Sequence, residues 1–281
     1  MRWNSGDEQS QNVEDRRGAS MGGRSTIGIG GVVILFVLSL IFGRDLVSPV
    51  LEQQAQVPQE TSGEAPPLQT TPEEEAKVVE IRMLLRDLEV TWATLLGGRY
   101  QDPTLVLFRG ATASACGMGE SAMGPFYCPG DRKVYLDLEF FDQLDRRFGA
   151  PGDFAQAYVI AHEVGHHVQS LLGVERQVRA MQQQSPGQAN ALSVRMELQA
   201  DCFAGVWGHS TAQRDKLDAG DAEEGLRAAS AIGDDKLQQQ SSGRVRPESF
   251  THGSAAQRVE WLRRGLETGD IKSCDTFRAG S

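Results

Sequence analysis

Apolar residues fall along this chain in patterns of different period, and each period predicts a different element. Ile27 to Phe42 reads IGIGGVVILFVLSLIF, an uncharged run bounded by Arg24 and Arg44. Val78, Ile81, Leu84, Leu85, Leu88, Trp92 and Leu95 recur at helical spacing after Thr71-Pro72-Glu73-Glu74, a capping-box start, and Gly97-Gly98 ends that helix. Leu105–Phe108 and Lys133–Leu136 read as short strands, and Leu138–Phe148 as a helix closed by Gly149. A helix is expected from Asp153 to Leu172, terminated by Gly173, and a second from about Ala189 to Trp207. Shorter ones are expected near Asp221–Ile232 and from Ser254 through Val259, Trp261, Leu262 and Leu266. The Gln-rich runs at 182–185 and 238–241 read as solvated loops or frayed helix ends. The pattern as a whole predicts an α+β, mostly helical domain with a small mixed sheet.

The uncharged run is slightly shorter than the usual 17–25 residues of a spanning helix, but Ser25, Thr26 and Gly43 extend it. A buried core helix fits the Gly/Ser-rich lead-in and polar tail poorly. A cleaved signal peptide would need an unusually long leader, and no small-x-small site follows closely. The expectation is one transmembrane helix. Arg16, Arg17 and Arg24 precede it, whereas no Lys or Arg lies between Asp45 and Ala76, so the N-terminus should be cytoplasmic. The expected organisation is a cytoplasmic tail at 1–25, an anchor at 26–43, a linker at 44–71 rich in Gln, Glu, Pro, Ser and Thr, and a domain at 72–281. The protein should then be a single-pass membrane protein, its domain on the periplasmic or extracellular side.

Composition adds two constraints. The chain has 28 Lys+Arg against 38 Asp+Glu, and the excess acid lies downstream of Arg44. Such a domain is poorly suited to nucleic acid, which is held through clustered cations. Four cysteines contain no C-x-x-C pair, which removes the zinc-ribbon and thioredoxin signatures. Cys116 and Cys128 are spaced for a local bridge, although four cysteines permit three connectivities.

The chemistry is concentrated at His162-Glu163-Val164-Gly165-His166, inside the 153–172 helix. Four residues advance a helix by about 400°, so the two imidazoles share a face and can bind one zinc ion. Glu163, rotated about 100°, can instead face a zinc-bound water as general base. A catalytic zinc takes a third protein ligand. His167 points away from the shared face, and no histidine follows until His209. Glu197 is the better candidate: with Asp201 one turn later, it lies in a helix made largely apolar by Met196, Leu198, Ala200, Cys202, Phe203 and Ala204. Carboxylates in such surroundings usually have a partner. Glu197 is expected to complete the metal site and Asp201 to accept a hydrogen bond from a liganding histidine.

With H-E-x-x-H at His162–His166 and E-x-x-x-D at Glu197–Asp201, the chain resembles gluzincin-type metallopeptidases. More specifically it resembles a bacterial family of membrane-anchored neutral zinc metallopeptidases, over nearly its whole length. The shared stretches include Met1-Arg2-Trp3, residues 12–17, Val134–Asp137, Glu197–Cys202, Phe250–Gly253 and Cys274–Phe277. The resemblance implies a zincin-like fold with one catalytic Zn2+ held by His162, His166 and Glu197, a polypeptide substrate, and hydrolysis with Glu163 as base. Tyr158 and His252 are candidate oxyanion stabilisers, His252 fitting a capping or loop residue before the Ser254 helix more readily. By fold analogy, the strand at Lys133–Leu136 would be the edge that holds substrate. A Cys202–Cys274 bridge would clip the tail to the helix carrying Glu197. Two other readings compete: a non-proteolytic zinc-containing peptide-binding or envelope assembly factor, and a zinc hydrolase of small amides with a more closed pocket.

Overall fold

The computed structural model describes residues 1–4, 6–19 and 68–278. A four-stranded sheet has the order β1 (Val13–Asp15), β2 (Thr104–Phe108), β6 (Lys133–Asp137) and β5 (Phe126–Cys128). The first three run parallel and β5 antiparallel to β6, so the sheet is mixed. β3 (Ala111–Ser114) and β4 (Gly117–Glu120) form a separate hairpin. Eight helices complete the described fold: α1 (Pro72–Leu96), α2 (Glu139–Arg146), α3 (Asp153–Leu172), α4 (Val174–Gln184), α5 (Ala189–Gln213), α6 (Asp221–Ala231), α7 (Asp234–Ser242) and α8 (Ala255–Thr268).

Alternation along β2 and β6 splits the sheet's two faces. Leu105, Leu107, Val134 and Leu136 join the main core with Leu85, Leu88 and Trp92 of α1, Tyr158 and Val164 of α3, Phe203 and Trp207 of α5, and Leu262 of α8. Val106, Phe108 and Tyr135 point the other way, into a smaller cluster bounded by Phe126. Thr71 caps α1 by accepting from the Glu74 N–H, and Gly97 closes it. The Glu74 carboxylate pairs with Arg109, a role beyond the expected capping box. Leu95, expected in the apolar stripe of α1, is exposed, and Leu96 takes the buried place.

Several expectations change. Among the described residues no helix is long and apolar enough to cross a membrane. The expected anchor at 26–43 lies outside the described residues, as does almost all of the linker at 44–71. The expected fold, preceded by a transmembrane helix, is therefore corrected to an α+β domain with no membrane-spanning helix among the described residues. Part of the segment expected as a cytoplasmic tail packs with the domain. Residues 1–17 form one compact unit with 69–281. β1 pairs with β2, Arg17 is buried against Asp15 and Glu75, and the Met1 amino group meets Asp153 and Asp221. β6 is interior to the sheet, so Lys133–Leu136 is not the edge it was expected to be, and β5 is an edge strand instead. α4 and α7 were not expected; they end in the glutamine-rich runs at 182–185 and 238–241, which had read as loops or frayed helix ends, and α5 runs six residues beyond Trp207.

The cysteines pair as Cys116–Cys128 and Cys202–Cys274. The first ties the β3–β4 turn to β5. The second ties α5 to a one-turn helix at Ile271–Cys274. α5 and α8 cross with their backbones in contact. A Cβ on Gly205 would lie 2.2 Å from the Leu262 carbonyl oxygen, and one on Gly265 would lie 2.0 Å from that of Cys202. Only glycine permits this approach, and it brings the start of α8 beneath Asp201.

Candidate metal centre and cleft

α3 and α5 carry the centre. They approach closely at Gly165, where a Cβ would sit 3.0 Å from the Ala200 carbonyl oxygen. His162 and His166 face α5 one helical turn apart, their Nε2 atoms 3.2 Å from each other. Glu197 Oε2 lies 3.1 Å from His162 Nε2 and 3.5 Å from His166 Nε2. One ligand atom from each of His162, His166 and Glu197 lies within 4.8 Å of the others. Two imidazole nitrogens and one carboxylate oxygen are the donor set of a three-ligand zinc site with one open position, so these residues fit the ion.

Both histidines are anchored at the far nitrogen. Asp201 Oδ1 lies 2.8 Å from His162 Nδ1 and also accepts from Tyr158 Oη at 2.5 Å. Arg258 of α8, itself buried, donates Nε to Asp201 Oδ2 and Nη2 to Oδ1, both at 2.9 Å, and Nη2 to Tyr158 Oη at 3.0 Å. His166 Nδ1 meets Gln169 Oε1 at 2.9 Å.

These contacts set the charges. Burial would raise the Asp201 carboxyl, but the Arg258 guanidinium and His162 outweigh it and hold it at about 2. Burial would likewise raise Glu197, yet His166 and His162 hold it well below the usual carboxylate range. Burial would lower His162, but Asp201 and Glu197 push it up to about 10. Glu163, which belongs to the same cleft, is raised by burial against the partial offset of His162 and His166.

The cleft above the centre has a volume of about 930 Å³. Phe126 and Tyr127 of β5, Phe140 of α2, Met196 of α5 and Leu237 of α7 are among its walls. His252 is at its rim, in the loop before α8. Asp234 Oδ2 accepts the backbone N–H groups of Thr251, His252 and Gly253 at 2.7, 2.7 and 3.1 Å, and Oδ1 lies 3.3 Å from His252 Nδ1. Among the described residues His252 Nε2 has no hydrogen-bond partner. Tyr158, the other expected oxyanion donor, is 1% exposed with its hydroxyl committed to Asp201 and Arg258, so its part is to hold Asp201. His167 points away, as expected, and is buried between Tyr127 Oη and the Gln101 carbonyl.

Reasoning from sequence missed Arg258, Asp234 and Gln169. Arg258 had a readable signal. It falls on the buried stripe of α8 with Trp261, Leu262 and Gly265, and a charge on an apolar stripe needs a buried counter-charge. Gln169 had one too, since it continues the His162 and His166 face at the next helical step. Asp234 gave none, because its role depends on a loop that folds back from eighteen residues on.

A family described as "Putative neutral zinc metallopeptidase" matches residues 1–277. YpfJ of Escherichia coli strain K12 is 51% identical over 290 residues, covering 99% of each chain. Rv2575 of Mycobacterium tuberculosis strain H37Rv is 47% identical over 203 residues, covering 68% of each. Both relatives are described as uncharacterized proteins, so the likeness carries no substrate with it. No solved structure matches. The match includes β1 as well as both helices of the centre, and on that extent the chain belongs to the neutral zinc metallopeptidase family.

Proposed function

We propose that the protein hydrolyses peptide bonds within polypeptides, with zinc held by His162, His166 and Glu197. The observation that carries this reading is the convergence of those three side chains at the base of an open cleft that also contains Glu163. When bound, zinc supplies a Lewis acid that polarises the scissile carbonyl and acidifies water. Glu163 takes the proton of the attacking water and delivers it to the leaving amine, and its burial-raised pKa suits both transfers. Asp201, fixed by Arg258 and Tyr158, holds the His162 ring in the tautomer that directs Nε2 inward. His252, oriented by Asp234, offers Nε2 to the developing oxyanion. The outer edge of β5, which pairs only with β6 among the described strands, receives the substrate as an added strand. The breadth of the cleft favours a polypeptide over a small amide.

The decisive measurement combines zinc stoichiometry with cleavage of a diverse peptide library. Wild-type protein should hold one zinc per chain, lose cleavage on chelation and regain it on zinc return. Glu197→Ala should weaken zinc binding by more than the roughly 10–100-fold that loss of an outer hydrogen-bond partner costs. Stoichiometric zinc without any cleavage would favour a non-proteolytic binding protein instead. Unchanged affinity in Glu197→Ala would remove Glu197 from the ligand set.

Zinc uptake should also release protons. His162 is held at about 10 by its neighbours, so at pH 7 the metal must displace a proton from it. Affinity should rise with pH up to about that value. Calorimetry at pH 7 in two buffers of different ionisation enthalpy should give different apparent heats. Equal heats would contradict proton displacement.

A further inference from the structure

His162 is anchored by a carboxylate, but His166 is anchored by an amide, and the hydrogen bonds behind that amide reach the C-terminal segment. Gln169 is fully buried on α3, three residues beyond His166. Its Oε1 faces His166 Nδ1 at 2.9 Å. Its Nε2 donates to the Met196 backbone carbonyl at 2.6 Å and to Gln199 Oε1 at 3.1 Å. Gln199 Nε2 in turn donates to the Cys274 carbonyl at 3.0 Å. Cys274 is bonded to Cys202, three residues after Gln199 on the same face of α5.

The two backbone carbonyls give this chain of bonds a direction. A carbonyl oxygen only accepts, so each must face an amide nitrogen. Cys274 therefore turns the Gln199 nitrogen toward itself and its oxygen toward Gln169. Met196 and that oxygen together turn the Gln169 nitrogen toward α5 and the Gln169 oxygen toward His166. An oxygen at that position requires a proton on His166 Nδ1 and leaves the lone pair on Nε2, which faces Glu197. Reversing either amide would set oxygen against oxygen in a buried site, where an unsatisfied polar group is costly.

We infer that Gln169 and Gln199 are positioning residues that fix the tautomer and angle of His166 from the disulfide-pinned C-terminal turn. Gln169 also couples that imidazole to the backbone of the residue before Glu197, so it sets the spacing between two of the three donors. This inference rests on the metal-site reading above.

The test uses the full-length protein loaded with Co2+ or Zn2+. Gln169→Leu should lower Co2+ affinity by roughly 10–100-fold in chelator competition and change the visible Co2+ spectrum. In nitrogen-15 NMR of the zinc-loaded wild type, the His166 Nδ1 proton should be resolved and slow to exchange. In Gln169→Leu it should exchange fast. Gln199→Leu keeps the Met196 bond, so it should cost less affinity and still shift the His166 Nδ1 resonance. That variant carries the test if Gln169→Leu does not fold. Thermal unfolding of each variant separates lost stability from lost positioning. Wild-type affinity and spectrum in folded Gln169→Leu, or an unmoved resonance in Gln199→Leu, overturns the relay. A wild-type protein that binds no Co2+ overturns the metal site itself.

Discussion

Glu163→Gln should lower kcat/KM by roughly 10²–10⁴-fold, the usual contribution of a positioned base, while the protein keeps its zinc. Glutamine preserves the volume and one acceptor of the side chain but cannot carry a proton from water to amine. Glu163 is not among the three converging donors, so bound metal measured by mass spectrometry should match wild type. Stability should hold or rise. Burial raises the Glu163 carboxyl, which means that its ionised form is disfavoured in the folded protein, and glutamine removes that charge. A variant within tenfold of wild-type activity would assign the base to another group. A variant that loses its zinc would make Glu163 part of the metal site.

Arg258→Leu should be the most destabilising single change near the centre, at about 3–5 kcal/mol in chemical denaturation, because it strips the counter-charge from a buried carboxylate. Asp201 is fully buried, and Arg258 supplies two of its four hydrogen bonds. The loss should depend on pH in a defined direction. Asp201 is depressed to about 2, so its pairing stabilises the fold above the ordinary carboxylate pKa near 3.9 and is lost as pH falls toward 2. Without Arg258 the carboxyl titrates higher, and acid unfolding should begin at higher pH. Asp201→Asn combined with Arg258→Leu should recover part of the stability, because no unpaired buried charge remains. A loss below about 1 kcal/mol for Arg258→Leu would mean that water or another cation already compensates Asp201.

Much of the centre could be read because each signal was local. The ends of α3 agree with the expected Asp153 and Leu172, since Gly173 adopts the left-handed conformation that stops a helix. Glu197 and Asp201 were legible as carboxylates set in an apolar helix. The signals that failed were not local. Val13–Asp15 is only three residues long, and nothing near it reveals that its partner is Leu105–Leu107. The same short strands hid that β6 lies inside the sheet, because order in a sheet is decided by crossovers. α4 and α7 end in glutamine-rich runs that read as loops or frayed helix ends, and the helices before them went unread. Those residues are good helix formers, and the polar faces that resembled loops are simply solvated.

The parallel pairing of β1 with β2 bears on how the molecule is made. During synthesis the Val13–Asp15 strand emerges long before Thr104–Phe108, and a parallel partner cannot be supplied by a nearby hairpin. The sheet must wait for a distant segment to arrive, so Val13–Asp15 has no strand partner until Thr104–Phe108 has been made. Pairing of β1 is therefore a non-local step that cannot begin before β2 has been made. A fragment that begins at the capped start of α1 would omit an edge strand, expose the flank of β2 and leave an open template for association with other chains.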